Sequence, residues 1–313
     1  MPNRVKRTLA LAGVVAAVTV PSFAQSVRVP GTNVTLSPPA GFAVARQYPG
    51  FEHAEAQASI VVTELPVAAT DMMRSMTAPA LSTKGMSLIA ARDTGVAEKP
   101  ARLLHVRQAA PGGSVLKWIL IAGDAKATMM IVGTFPEAAS PDVGETIRES
   151  VLTASWSTAP PADSFEGLPF RLTPTACLKL ARRVSNTLMF TESGTTGSPG
   201  STEALYIAGH SIGQGRITDA RTFAESRAKQ TDRLTGVTGF TSRPISIDGA
   251  AAYELEADAI DSRSGRPMRL YQVIIPDETG YFILQGISRA DRASEIVPEF
   301  RRVTASFRRA TVP

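Results

Sequence analysis

The string Gly209-His210-Ser211-Ile212-Gly213 fits Gly-x-Ser-x-Gly, the pattern in which a strained strand-to-helix turn lifts a serine oxygen toward a substrate carbonyl. That chemistry needs two more parts. A helix must start directly after the serine, yet Gly215 and several further residues precede the next capping residue, Asp219. A base must follow in the chain, yet the only histidines are His53, His105 and His210. The spacing therefore gives no Ser-His-Asp triad in the usual order. Ser211 is the candidate nucleophile of a hydrolase reading, and a glycine-rich strand-to-helix connection is the plainer alternative.

A second cluster, Glu52-His53-Ala54-Glu55, combines imidazole with carboxylates, a donor set that suits zinc. Strand alternation would place His53 and Glu55 on one face. With no cysteine and no second histidine nearby, solvated loop acids account for Glu52, His53 and Glu55 more simply, and no metal or cofactor is expected. Phosphate signatures fail on spacing: Gly213 and Gly215 are followed by Arg216, Ile217 and Thr218, so the third glycine of a dinucleotide fingerprint is missing. Cys177, next to Leu178, is expected to be a buried, inert thiol. His105, flanked by Leu104 and Val106, is expected to be a satisfied sheet residue.

The C-terminal segment carries Arg289, Arg292, Arg301, Arg302, Arg308 and Arg309. Cations near a helix C-terminus complement its dipole, which explains part of this run. Arg301, Arg302, Arg308 and Arg309 beside Phe300 and Phe307 are the candidate partner-binding residues, suited to anionic headgroups or an acidic protein.

Charge and composition restrict the partners. The 313 residues carry a formal net charge of +5, but Arg4, Lys6 and Arg7 belong to an N-terminal segment built like a secretory signal: a basic start, an apolar run from Leu9 to Val20, then Ser22-Phe23-Ala24 at the cleavage position. Cleavage after Ala24 removes those three cations and lowers the net charge to +2. Such a chain has no basic field for nucleic acid. The apolar run is shorter than the roughly 20 residues of a membrane span, so a cleaved signal and a periplasmic or secreted protein are expected, with no transmembrane segment. The lone Cys177 rules out an internal disulfide.

The elements that must hold these residues are written twice. Val34-Thr35-Leu36-Ser37-Pro38 returns as Phe170-Arg171-Leu172-Thr173-Pro174, Thr70-Asp71 as Thr218-Asp219, Gly133 as Gly286, and Ala154-Ser155-Trp156 as Ala305-Ser306-Phe307. Each copy predicts strands at its entry (Val34–Leu36, Phe42–Ala45 and Ser59–Leu65; Leu178–Leu180 and Ala204–Ala208). A helix opened by Asp71 or Asp219 and closed by Gly85 or Gly236 follows. Three strands then form a meander: Ala101–Gln108, Val115–Ala122 and Thr128–Thr134, or Ala252–Ile260, Met268–Ile275 and Tyr281–Ile287. Trp118 and Tyr271 fall at matching points of the middle strands. A closing helix carries Val143, Ile147, Val151 and Trp156, or Ile296, Phe300, Val303 and Phe307, with Pro298 expected in or before its first turn. The second copy has an insertion, Ser193 to Thr202, which reads as a mobile loop. The segmentation is a signal at 1–24, a first domain at 25–156, a linker at 157–167 containing Pro160-Pro161, and a second domain at 168–313.

The expected class is α+β: two tandem α/β/α sandwich domains, each a mainly antiparallel sheet covered by helices. The strand order, the Leu-Ser-Pro and Leu-Thr-Pro entries, the Thr-Asp helices, the meander and the closing helix with Glu145-Thr146-Ile147-Arg148 resemble the PsbP and Ran-binding Mog superfamily. That resemblance implies accessory or assembly proteins rather than enzymes. A non-catalytic protein that binds an envelope protein or cell-envelope component is the resulting expectation, with a serine hydrolase and a small-molecule or metal-binding module as the alternatives.

Overall fold

The computed structural model describes residues 25–110, 112–157, 163–196, 203–212, 215–278 and 280–310. The expected signal (1–24), the middle of the expected linker (158–162) and most of the expected mobile loop (197–202) lie outside these residues. The first copy runs β1 Val27–Arg28, β2 Val34–Leu36, β3 Ala43–Val44, β4 Gly50–His53, β5 Ala58–Leu65, α1 Ala69–Ser75, α2 Ala78–Ser82, β6 Met86–Val96, β7 Lys99–Ala110, β8 Gly113–Gly123, β9 Thr128–Pro136, α3 Glu145–Leu152 and β10 Ser155–Trp156. The second runs β11 Phe170–Arg171, β12 Lys179–Val184, β13 Thr187–Thr191, β14 Leu205–His210, α4 Ala220–Lys229, β15 Leu234–Ile247, β16 Ala250–Asp261, β17 Pro267–Pro276, β18 Tyr281–Arg289, α5 Ala293–Ala305 and β19 Arg308–Arg309.

Each copy forms one seven-stranded antiparallel sheet, ordered β3-β4-β5-β9-β8-β7-β6 in the first and β12-β13-β14-β18-β17-β16-β15 in the second. Position by position these are the same sheet. The duplication extends to register: Trp118 faces Gly133 across β8 and β9, and Tyr271 faces Gly286 across β17 and β18. It extends to single hydrogen bonds as well. Ser37 N donates to Thr153 Oγ1 at 2.9 Å, and Thr173 N donates to Ser306 Oγ at the same distance, so Ser306 stands level with Thr153, two residues away from its sequence match with Ser155. Ser157 N reaches Asn33 O, as Ala310 N reaches Pro169 O.

The two central glycines explain how the closing helix seats. A Cβ on Gly133 would overlap Ile147 Cγ2, and a Cβ on Gly286 would overlap the Phe300 ring. Without side chains there, Ile147 and Phe300 drop onto the sheet and become fully buried. Around Phe300 the second core is aromatic: its ring stacks on Tyr206 at 5.7 Å and Tyr271 at 6.0 Å. The opposite face of the first sheet is covered by α1 and α2, with Leu81 of α2 packed in one cluster with Leu104 and Ile121 of the sheet. In the second sheet it is covered by α4 over Leu255, Leu270 and Ile274. Each domain is thus a sheet between two helical layers.

Several sequence expectations change in the structure. A fourth long strand, β6 or β15, precedes each expected three-strand meander. Leu234 and Gly236 lie in β15 rather than at the end of a helix. Gly236 and Gly239, at φ +60° and +63°, sit where the β15–β16 register shifts, so they serve β-bulges. Asp219 does cap α4, accepting from Arg221 N and Thr222 N, but Asp71 lies inside α1 and pairs with Arg74. Trp156 belongs to β10, and Phe307 lies beyond the end of α5 at Ala305, so neither is in a closing helix. Pro298 is the sixth residue of α5, where it deprives Ser294 O of a helical hydrogen bond. Cys177 is exposed, not buried. No helix among the described residues is long and apolar enough to cross a membrane.

Candidate functional site: an arginine-rimmed cleft on the second sheet

Ser211 directly follows β14. Its N–H donates to Tyr281 O at 2.9 Å and its Oγ accepts from Tyr281 N at 3.0 Å. The hydroxyl thus closes the end of the β14–β18 pair. His210 sits beside it in sequence, but its Nε2 meets Asp277 Oδ2 at 3.2 Å and its buried Nδ1 has no partner. Burial pushes the His210 pKa down, against the opposing pull of Asp277. No hydrogen bond joins His210 to Ser211 Oγ among the described residues, so a His-Asp pair lies next to a serine without forming a relay to it.

The Glu52, His53 and Glu55 trio is dispersed. β4 ends at His53 and Glu55 lies in the following turn, exposed. Adjacent strand residues such as Glu52 and His53 point to opposite faces. His53 Nδ1 accepts from Ala56 N at 3.3 Å and its ring packs edge-on against Phe42. Glu52 acts on Tyr48, whose phenol is pushed up to about 12 by burial first and by this carboxylate second. No group of three or more metal-ligating side chains assembles among the described residues. His105 stacks on Trp118 with centroids 4.0 Å apart, but its buried Nε2 lacks a partner.

The four C-terminal arginines do not form one patch. Arg301 bridges Glu254 and Glu256 and lies over Tyr271. Arg302 pairs with Glu299, and Arg308 and Arg309 hold Asp248 in the β15–β16 turn. Each is engaged by an acid of its own domain.

A different set of arginines surrounds an opening. A cleft of about 420 Å³ lies on the α4 face of the second sheet, among β14, β17, β18, the segment after α4 and the β16–β17 turn. Its floor is made of Leu205, Ile207, Leu234, Met268 and Ile287. Arg227, Arg233, Arg263, Arg266 and Arg289 surround it, opposed by Glu203, Asp232 and Asp261. Asp261 is committed to the β16–β17 turn: its Oδ1 accepts from Arg263 N, Ser264 N and Ser264 Oγ at 2.8 to 3.0 Å. These bonds, led by Ser264 N–H, hold its carboxyl below the usual range. Arg233 reaches it at 3.4 Å and Arg289 pairs with Asp291. The side chains of Arg263 and Arg266 have no partner among the described residues, and Arg227 Nε is buried without one.

Under the floor runs a polar chain absent from the first domain. Gln285 Nε2 donates to Thr231 Oγ1 at 3.0 Å and to Gln272 Oε1 at 2.9 Å, and Gln272 Nε2 donates to Ala224 O at 2.8 Å. Gln272 and Gln285 are directly opposite each other in β17 and β18. The equivalent pair in the first domain, adjacent to Trp118 and Gly133, is Ile119 opposite Val132. Where the first domain has two apolar residues, the second has two buried amides. The signal was present in the sequence one step beyond the repeat anchors, but only cross-strand register shows that the two glutamines meet.

No known family model matches the chain, and no curated protein matches it. Among solved structures it is similar to cyanobacterial PsbP (CyanoP) from Synechocystis sp. PCC 6803, with 12% identity, coverage of 46% of this chain and 98% of that one, and a TM-score of 0.33. A protein of unknown function from Pseudomonas aeruginosa matches at 18% identity over 43% of this chain and 98% of its own, with a TM-score of 0.33. The apo form of the T6SS immunity protein TplEi from Pseudomonas aeruginosa matches at 10% identity over 91% and 96%, with a TM-score of 0.34. The two-domain architecture rests on strand order and register alone.

Proposed function

We propose that the protein is an exported, non-catalytic accessory protein that recognises a component of the cell envelope through the cleft of its second domain. The observation that carries this reading is the cleft itself, with an aliphatic floor and an arginine rim in which Arg263 and Arg266 have no partner among the described residues. Concave, mostly apolar sites with a few convergent polar groups are the usual form of a recognition site. The arrangement of Ser211 and His210 supports a non-catalytic reading, since the serine oxygen accepts from a backbone amide and the histidine faces Asp277. The tandem PsbP-like relationship belongs to the same proposal, and the duplicated strand order supports it.

Two measurements on the purified protein test the reading. A serine-reactive fluorophosphonate probe should leave it unlabelled. An envelope extract should yield a component retained by the wild type and lost with Met268→Asp, whose melting curve reports on its folding. Labelling that disappears in Ser211→Ala would overturn the proposal in favour of a hydrolase. Equal retention by a folded Met268→Asp variant would move recognition away from the cleft.

A further inference from the structure

The side chains of the cleft narrow what it takes. Resting on the reading of the cleft as the recognition surface, we propose that it binds a single aliphatic chain carrying an anionic head group. The floor residues Leu205, Ile207, Met268 and Ile287 are aliphatic, and no aromatic residue lines the cleft among the described residues. A flat ring would find no stacking partner there, whereas a flexible chain can follow branched side chains and an adaptable methionine. A volume of about 420 Å³ lies within the range of small-molecule sites.

The head group follows from charge. Five arginines oppose three acids around the rim; Arg233 pairs with the ionised Asp261 and Arg289 with Asp291 outside the rim. Arg263 and Arg266, on the same β16–β17 turn, present guanidinium groups with no partner among the described residues. Such forks match carboxylate or phosphate oxygens in pairs. Arg227 Nε, buried and unpartnered, adds a donor on the α4 side. A cationic head would meet this surplus of positive charge and be rejected. The shared chemistry is an acyl chain ending in an anion, and its source is either a free fatty acid or a lysophospholipid.

The test is competition against a fluorescent fatty-acid reporter on the purified full chain. Dodecanoate or lysophosphatidylglycerol, each below its micellar concentration, should displace the reporter, and whichever does so at the lower concentration identifies the source. Dodecyltrimethylammonium, with the same tail and the opposite charge, should not displace it, and neither should inorganic phosphate, which has no tail. The Arg263→Ala/Arg266→Ala double variant, both positions being exposed, should weaken dodecanoate by about tenfold, as expected for losing charge-assisted hydrogen bonds. Equal competition by the ammonium amphiphile, an unchanged affinity in the arginine variant, or no displacement by any anionic amphiphile up to about 1 mM would overturn the proposal. If amphiphiles fail while cross-linking from the rim still captures one defined envelope component, the acyl ligand is wrong and recognition at the cleft stands.

Discussion

Gln272 and Gln285 mark the point where two otherwise parallel domains diverge in chemistry. Each amide is buried, and removing Gln285 leaves the buried Gln272 Oε1 without its donor, although Gln272 Nε2 keeps Ala224 O. Gln285→Val should therefore destabilise the protein by about 1–3 kcal/mol, the cost of an unsatisfied buried polar group. Gln272→Ile/Gln285→Val, which restores the first domain's pair, should recover most of that loss. Chemical denaturation of the two singles and the double measures the coupling. His105 offers a second test at this scale. Burial, followed by the charge of Arg107, holds its folded pKa below the unfolded value. The unfolded state thus binds more protons just below pH 6.5, and stability must fall as pH drops through that region. His210 is depressed in the same direction, also by burial. His105→Phe, which keeps a ring against Trp118 and removes the unpartnered Nε2, should be at least as stable as wild type at pH 7. It should also lose less stability between pH 7 and pH 5, as thermal melts at both values would show. At this scale the sequence was only partly legible. His105 was readable as a sheet residue from its apolar neighbours, but the dispersal of Glu52, His53 and Glu55 depends on a strand ending at His53. The pairing of Arg301 with Glu254 and Glu256 depends on two strands and a helix far apart in the chain.

Elements were legible where turns announced them. The β7–β8 and β8–β9 hairpins lay between runs of Leu, Ile and Val, with glycines or Asp124 at their bends, and Asp124 accepts from Lys126 N and Ala127 N as a turn residue should. The edge strands β6 and β15 were not legible. Each pairs on one side only and is largely exposed, so neither alternates cleanly between apolar and polar residues. Gly236 reads as a helix end, and Gly239 and Pro244 interrupt any strand pattern, although bulges and an edge position accommodate all three. The closing helices show the reverse case, since their apolar stripes and the paired glycines beneath them were visible in both copies. Gly286→Ala tests that fit. Its methyl group would drive into the Phe300 ring at the centre of an aromatic cluster, and overpacking of this kind costs about 1–3 kcal/mol. A denaturation midpoint unchanged from wild type would show that α5 does not rest on Gly286.

At the scale of the molecule, the two sandwiches meet through the second half of the expected linker. Glu166 pairs with Arg28 of β1, and Arg183 of β12 donates to Ser164 O and Glu166 O. Burial pushes the Arg183 guanidinium down to about 10, against the pull of Glu166, Asp163 and Glu64. Gly31, at φ +73°, leaves room for this contact, because a Cβ there would overlap both Arg183 and Glu166 O. These are mainly backbone and arginine contacts, and each domain keeps its own apolar clusters. Residues 163–313 should therefore unfold cooperatively on their own, by calorimetry. A molten fragment would mean that the domains depend on each other. Duplication, fold class and the closing helices were readable from one sequence because they recur in it. The cleft was not, because its floor comes from four strands, β14, β15, β17 and β18, and its rim from α4, the end of β18 and two loops that the chain joins only on folding. In-cell photo-crosslinking from position 266 on the cleft rim, compared with position 126 on the exposed β8–β9 turn of the first domain, tests the central claim most directly. The account predicts one defined adduct from position 266 that is lost with Met268→Asp and absent from position 126. Equal adducts from both positions, or none from position 266, would contradict it.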